Sequence, residues 1–168
     1  MTVSVPTLND LLHGASRRAL HLELRDVYAG SPAFLAWLQD MPHDRSKADA
    51  QWRELIAPLA TFGADLRRAR IVSEPVTDYV RFEHSVTPLA NLAAGERVRW
   101  LPRRKASTLA LPGNDFWLID DRVLFNIFSG MGEWIGADVV DDPDVVQFCL
   151  GAFEDVWTRG TDHADYRI

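Results

Sequence analysis

The chain has 168 residues, 47% of them hydrophobic and 25% charged, with a formal net charge of −6. This is the size and composition of one globular domain, and six Trp with eight Phe supply a core that needs no disulfide or metal staple. The acidic balance argues against a general nucleic-acid or acidic-membrane binder, and no leader or run of ~18 apolar residues is present, so a cytoplasmic location is expected.

Taken in chain order, Thr7 or Asn9 caps a short helix through His13, with Gly14 as its stop. Arg18 to Arg25 alternates, with Leu20, Leu22 and Leu24 on one side, the period of a strand with one buried face. Ser31-Pro32 opens a helix from Ala33 to Gln39, and Met41 to Asp49 reads as a polar turn. Trp52, Leu55, Ile56, Leu59 and Phe62 then recur at helical spacing up to Gly63, with a kink or break expected at Pro58.

Leu66 to Val72 is the next strand. Pro75 stands at the first position of a predicted helix whose inward row is Val76, Tyr79, Val80, Val86 and Leu89, interrupted by Pro88 and ending near Gly95. Arg97 to Leu101 alternates Val98 and Trp100 against a basic side. Asp115 to Phe128 reads as a hairpin turning at Asp120-Asp121 or Asp121-Arg122, and a further strand follows at Ala137. Asp142 caps a last helix that starts at Pro143 and carries an apolar stripe including Cys149, expected to be a buried inert thiol. The whole predicts a single α/β domain over 1–168, a mixed sheet with helices packed on it, and loose ends at 1–6 and 160–168.

Several segments carry a resemblance. Arg70-Ile-Val-Ser-Glu-Pro-Val-Thr-Asp-Tyr-Val-Arg-Phe-Glu83, Val98-Arg-Trp-Leu-Pro102, Asp115-Phe-Trp-Leu-Ile-Asp-Asp-Arg122 and Val140-Asp-Asp-Pro143 resemble a small actinobacterial family catalogued as a domain of unknown function. Its members are often encoded beside helix-turn-helix regulators, which implies a regulatory role with such a regulator as partner. More distantly, the final third is similar to degenerate phospholipase-D-like domains that act as sensor modules, and a phospholipase-D-like half-domain is expected. Active members of that group place a nucleophilic His and a phosphate-binding Lys in His-x-Lys-x-x-x-x-Asp. With Asp120 in the Asp place those positions are Gly113 and Asp115, and with Asp121 they are Asn114 and Phe116. Neither register has a nucleophile or a cation, so that chemistry is expected to be absent.

The candidate ligand-binding residues are Glu74, Asp78, Tyr79, Arg81 and His84 around the helix that starts at Pro75, with Arg99 and Trp117. They support two readings: a regulatory or interaction protein that binds a partner regulator or a small ligand, or an enzyme using Glu74, Asp78 and His84 as acid–base groups. The arginines at 67, 68 and 70, with Arg97, Arg99, Arg103, Arg104 and Lys105, form the basic concentrations and read as a solvated face and loop. The aspartates at 120, 121, 138, 141, 142 and 144 read as turn and cap residues. No cofactor or metal is expected, nucleic acid is disfavoured, and a homodimer is compatible with the composition.

Overall fold

The computed structural model describes residues 6–168, so the expectation for 1–6 lies, apart from Pro6, outside the described residues. The helices are α1 (Leu8–His13), α2 (Pro32–Leu38), α3 (Ser46–Thr61), α4 (Asp78–Ala90) and α5 (Pro143–Arg159). The strands are β1 (Arg18–Glu23), β2 (Asp65–Val72), β3 (Arg97–Pro102), β4 (Phe116–Ile119), β5 (Arg122–Phe128), β6 (Trp134–Val140) and β7 (Thr161–Asp162). They form one mixed sheet in the order β6-β5-β4-β1-β2-β3-β7, in which β1, β2 and β3 are parallel and the other neighbours antiparallel. The expected α/β single domain is what the chain adopts. No described helix is long and apolar enough to cross a membrane.

The sheet is covered on both sides, which the alternation in β1 did not reveal. On one side Leu20, Leu22, Ala69, Ile71, Phe116, Leu118 and Val123 meet Cys149, Phe153, Val156 and Trp157 of α5. On the other, Ala19, Leu66, Trp117, Ile119 and Leu124 meet Leu11 and Leu12 of α1 and Ile56 and Leu59 of α3. His21 and Glu23, expected to face water, are therefore buried. Cys149 is buried and free, and its burial pushes the thiol up to about 11, as expected of an inert group.

Local chemistry explains most boundaries. Thr7 and Asp10 form a reciprocal capping box at α1, and Asp142 accepts from Asp144 N and Val145 N at the start of α5. Both internal prolines leave their helices unbroken. Pro58 and Pro88 lie on exposed faces, where the carbonyl each deprives of a partner can bond to water. Helix α3 begins earlier than expected, at Ser46, because Asp44 accepts from Ser46 N at 2.8 Å and Arg45 reaches Asp49 at 3.2 Å.

Helix α4 begins later than expected. Thr77 is its cap, accepting from Val80 N at 3.2 Å, so Pro75 lies before the helix and not at its first position. The shift changes the inward face to Val80, Phe82, Thr87 and Ala90 and leaves Leu89 71% exposed. Residues 160–168, expected to be a loose end, are held against the sheet. Thr161 and Asp162 pair with β3, and Tyr166 stacks on Trp100 with ring centroids 5.7 Å apart.

Candidate functional site

The parallel strands end at a cleft built from their last residues and the segment entering β4. Asp26, just past β1, accepts from Ser73 N at 2.6 Å and Ser73 Oγ at 2.7 Å, tying the end of β1 to the end of β2. Arg103, just past β3, crosses both. Its Nη2 donates to Leu24 O at 2.7 Å, Ile71 O at 3.2 Å and Asp26 Oδ2 at 3.2 Å, and its Nε donates to Ser73 Oγ at 3.0 Å. One guanidinium thus satisfies carbonyls that the sheet leaves open at its end.

A cavity of about 390 Å³ lies beside it, lined by Leu24, Arg25, Arg103, Leu111, Phe128 and the Pro112-Gly113-Asn114-Asp115 segment. Asp115 is the buried acid of this cavity. It accepts from Leu24 N at 2.9 Å and from the Tyr28 hydroxyl. Burial pushes the Asp115 carboxyl up to about 6 against the lowering effect of those two bonds, and the Tyr28 hydroxyl is driven well above its ordinary value by burial, then by Glu23 and Asp115. Arg25 stands over the Phe128 ring at 5.4 Å and donates only Nε, to Val27 O at 3.5 Å, among the described residues. Its two terminal amines are therefore free to meet a ligand in the cleft.

A carboxyl-directed titration by NMR should give Asp115 a midpoint near 6. Tyr28→Phe should raise it, because a bond that favours the ionised form is lost. Midpoints near 4 in both proteins would mean that the carboxyl is solvated and the cleft is not as described.

Behind the cleft, under α3 and α4, lies a buried ionic network that the sequence reading placed in water. Arg68 and Arg70 point to this side from β2 and are buried, Arg70 to 4% exposure. Glu23 of β1 bridges them, taking Arg68 Nη1 and Arg70 Nε, the latter at 2.7 Å. Arg70 also reaches Thr87 and Glu83, each at 2.9 Å. Arg68 reaches Glu96 at 2.9 Å, and Glu96 also accepts from Trp52 Nε1 at 2.6 Å and Asn91 Nδ2 at 2.8 Å. Burial opposes ionisation of Glu23, but the two arginines outweigh it and hold its carboxyl at about 2.

His21 stacks on Trp117, centroids 4.1 Å apart, and burial and then Arg68 push its pKa well below the ordinary value. It is held neutral, with Nδ1 buried and unpartnered. Its 3.3 Å approach to Glu23 is close enough to count as a contact but does not make a hydrogen bond. The third arginine of the group, Arg67, faces the α5 side and pairs with Asp65 and Glu154 at 2.6 Å. The solvated-face reading of these three arginines is thus corrected: a central strand covered by helices on both sides has no solvated face.

The predicted site residues do not form one site. Asp78 and Arg81 are exposed and 4.0 Å apart. Glu74 accepts from the Tyr166 hydroxyl at 3.0 Å, whereas His84 meets the Tyr166 carbonyl oxygen at 3.2 Å. An acid–base set of Glu74, Asp78 and His84 is therefore not assembled. Arg99 pairs with Asp162 at 2.8 Å and donates to Trp157 O at 2.9 Å, far along β3 from the cleft. Trp117 is buried beside His21, and Tyr79 packs with Tyr28, Phe34 and Phe82. Two of the residues named approach the cleft: Tyr79 through Tyr28, and Glu74, which lines a neighbouring pocket with Arg103. The cleft's own groups, Arg25, Tyr28, Arg103 and Asp115, were not singled out as site residues. The signal for Asp115 was present in the register that places Gly113 and Asp115 where a phospholipase D has His and Lys.

The aspartates at the other end have structural roles. Asp120, which adopts φ 50° in the turn, accepts from the backbone N–H groups of Ser16, Arg17 and Arg18, and Asp121 pairs with Arg17.

Comparison with known proteins agrees with this architecture. The fold is similar to Nuc from Salmonella typhimurium, a phospholipase D family member, with a TM-score of 0.50, 12% identity, and coverage of 95% of this chain and 88% of Nuc. It is also similar to TrmBL2, an archaeal chromatin protein described as showing a novel mode of DNA binding, with a TM-score of 0.51, 12% identity and 90% of this chain covered. The chain spans about half of TrmBL2, 47% of its length. At 12% identity both likenesses concern the fold alone. No curated protein matches in sequence. A family model does match over residues 6–168, and the chain therefore belongs to the family described as Domain of unknown function (DUF6879).

Proposed function

We propose that this protein is a non-enzymatic regulatory module that binds a small ligand in the cleft between the end of β1 and the segment entering β4. The observation that carries the reading is the combination, in one cavity of about 390 Å³, of free Arg25 amines with a buried, hydrogen-bonded Asp115. Leu24, Leu111 and Phe128 supply apolar walls, and two polar groups of opposite character supply orientation, the usual make-up of a small-molecule site. The ligand that suits it carries an anionic or acceptor group for Arg25 and a donor for the spare lone pairs of Asp115.

The lining holds neither His nor Lys, and in both registers of the phospholipase D motif the His and Lys places are taken by other residues, Gly113 and Asp115 or Asn114 and Phe116. That supports binding over phosphodiester cleavage. Ligand occupancy would draw Arg25 into the cleft and so alter the surface offered to a helix-turn-helix regulator, the partner implied by the family resemblance. The shared fold with part of TrmBL2 is in keeping with a module that works beside DNA-associated machinery.

Thermal shift measurements with inorganic phosphate, citrate and nucleoside monophosphates at millimolar concentration test the reading. At least one probe should raise the melting temperature of the native protein and leave Arg25→Ala unmoved, while bis(p-nitrophenyl) phosphate is not turned over. No shift with any probe, or turnover that Asp115→Asn abolishes, would overturn it.

A further inference from the structure

A second pocket, of about 270 Å³, opens at the ends of β2 and β3, on the side of a parallel sheet where ligands commonly bind. Ser73, Glu74, Pro102, Arg103, Arg104 and Ser107 line it, and Arg103 is also a wall of the ligand cleft. Three consecutive basic residues, Arg103-Arg104-Lys105, thus follow β3 in a chain whose net charge is −6. They are less fully neutralised than the buried arginines of β2. Arg103 commits Nε and Nη2 to Ser73, Leu24, Ile71 and Asp26, which fixes its guanidinium plane, while Nη1 donates to nothing among the described residues. The Arg104 side chain makes no hydrogen bond among them, and Glu74 Oε2 stands 3.8 Å from its Nη2. Glu74 is the single acid of the lining, and its other oxygen already accepts from the Tyr166 hydroxyl at 3.0 Å. The pocket therefore offers two guanidiniums with amines to give against one carboxylate.

We propose that this pocket is a phosphate subsite, and that the ligand of the neighbouring cleft is accordingly a phosphate monoester. The inference rests on the cleft reading for the ligand's body, which lies between Arg25 and Asp115, while its phosphate passes Arg103 into the second pocket. Phosphate suits the lining better than carboxylate does. A monoester brings three acceptor oxygens and a charge approaching −2, enough to take Arg103 Nη1 and the fork of Arg104 together and to draw Arg104 from its loose contact with Glu74. A carboxylate has two oxygens and one charge, and satisfies a single guanidinium. Arg103 is already held in place by its other bonds, so little freedom is lost there on binding. Arg104, 79% exposed, is the mobile arm that closes on the ligand. The Ser107 hydroxyl, bonded to Arg104 O at 3.0 Å, can turn to donate a further bond. Because Arg103 walls both cavities, the two act as one site for the two ends of one molecule.

Titration of the full chain with inorganic phosphate, followed by phosphorus NMR at mildly alkaline pH and low salt, tests the subsite apart from the cleft. The native protein should bind it with a dissociation constant on the order of 10 mM, too weak to register as a thermal shift at millimolar concentration, and added salt should weaken it further. Arg104→Glu, at an exposed site that leaves the fold intact, should weaken binding about tenfold or more. Glu74→Gln removes the competing carboxylate and should tighten it about threefold. Arg25→Ala should leave it unchanged, since Arg25 lines the cleft and not this pocket. Phosphate bound by the native protein and Arg25→Ala but not by Arg104→Glu supports the subsite whatever the fate of the cleft reading. No binding by the native protein, or binding that Arg104→Glu leaves intact, overturns the proposal. Loss in Arg25→Ala with Arg104→Glu unaffected puts the phosphate in the cleft, which overturns the subsite and leaves the cleft reading standing. A cleft ligand recovered without phosphorus overturns it as well.

Discussion

Glu23→Ala is expected to cost about 3–5 kcal/mol, the usual result of removing one partner from a buried ion pair. Glu23 sits between Arg68 and Arg70, and its loss leaves two buried guanidiniums repelling one another with only Glu83 and Glu96 to balance them. For a domain of this size that corresponds to a fall in melting temperature on the order of 10 °C. Chemical denaturation at neutral pH measures it, and a change within about 0.5 kcal/mol, the range of an ordinary surface substitution, would mean that the network does not support the fold.

The same group sets an acid limit. The folded carboxyl titrates at about 2 against an ordinary value of 4.5, so its contribution is complete above pH 4.5 and disappears as the pH falls toward 2. His21 acts in the same direction. Because its folded pKa lies well below 6.5, the unfolded chain takes up a proton first and stability begins to fall below pH 6.5. Asp115, raised to about 6, acts the other way: between pH 6 and 3.8 the folded chain binds its proton first and offsets the loss due to His21, so the steep fall should come below pH 4.5 and Glu23→Ala should flatten it.

Trp157→Ala should have an effect of similar size, roughly 3–5 kcal/mol. Trp157 is 8% exposed, stacks on Phe153 with centroids 5.9 Å apart, and lies under the guanidinium groups of Arg67, Arg97 and Arg99 at 5.1, 5.6 and 4.7 Å. Truncation therefore removes both the end of the apolar contact between α5 and the sheet and the aromatic surface on which three cations rest. Trp157→Phe keeps part of that surface and should cost less, about half as much. A Trp157→Ala protein with an unchanged melting curve would show that α5 is not docked through this residue.

The elements that could be read from the chain are those whose signals are local. The Asp142-Pro143 start of α5 and the Thr7 cap each depend on neighbours within four residues. The errors of burial share one cause, which is tertiary covering. Leu20, Leu22 and Leu24 alternate with His21 and Glu23, and a period of two reports one buried face; it cannot report that helices arriving later from both sides bury the other. Arg68 and Arg70 of β2 read as solvated for the same reason, since their partners come from β1, α4 and Glu96, none of them adjacent in sequence. The shift in α4 follows from Asp26, which draws Ser73 and Thr77 to the end of β1 and makes Thr77 the cap. The cleft was hidden because Arg25, Arg103 and Asp115 come from three connections that only the strand order brings together. Asp115 was visible only as a departure from the phospholipase D pattern.

The central claim is that this cleft holds a ligand through Arg25 and Asp115. Native mass spectrometry of the protein purified gently from its own host, beside Arg25→Ala and Asp115→Asn prepared the same way, tests it most directly. A small noncovalent mass should be retained by the native protein at up to one per chain and lost from both variants. A native spectrum with no added mass, or an adduct carried equally by all three proteins, would contradict the claim.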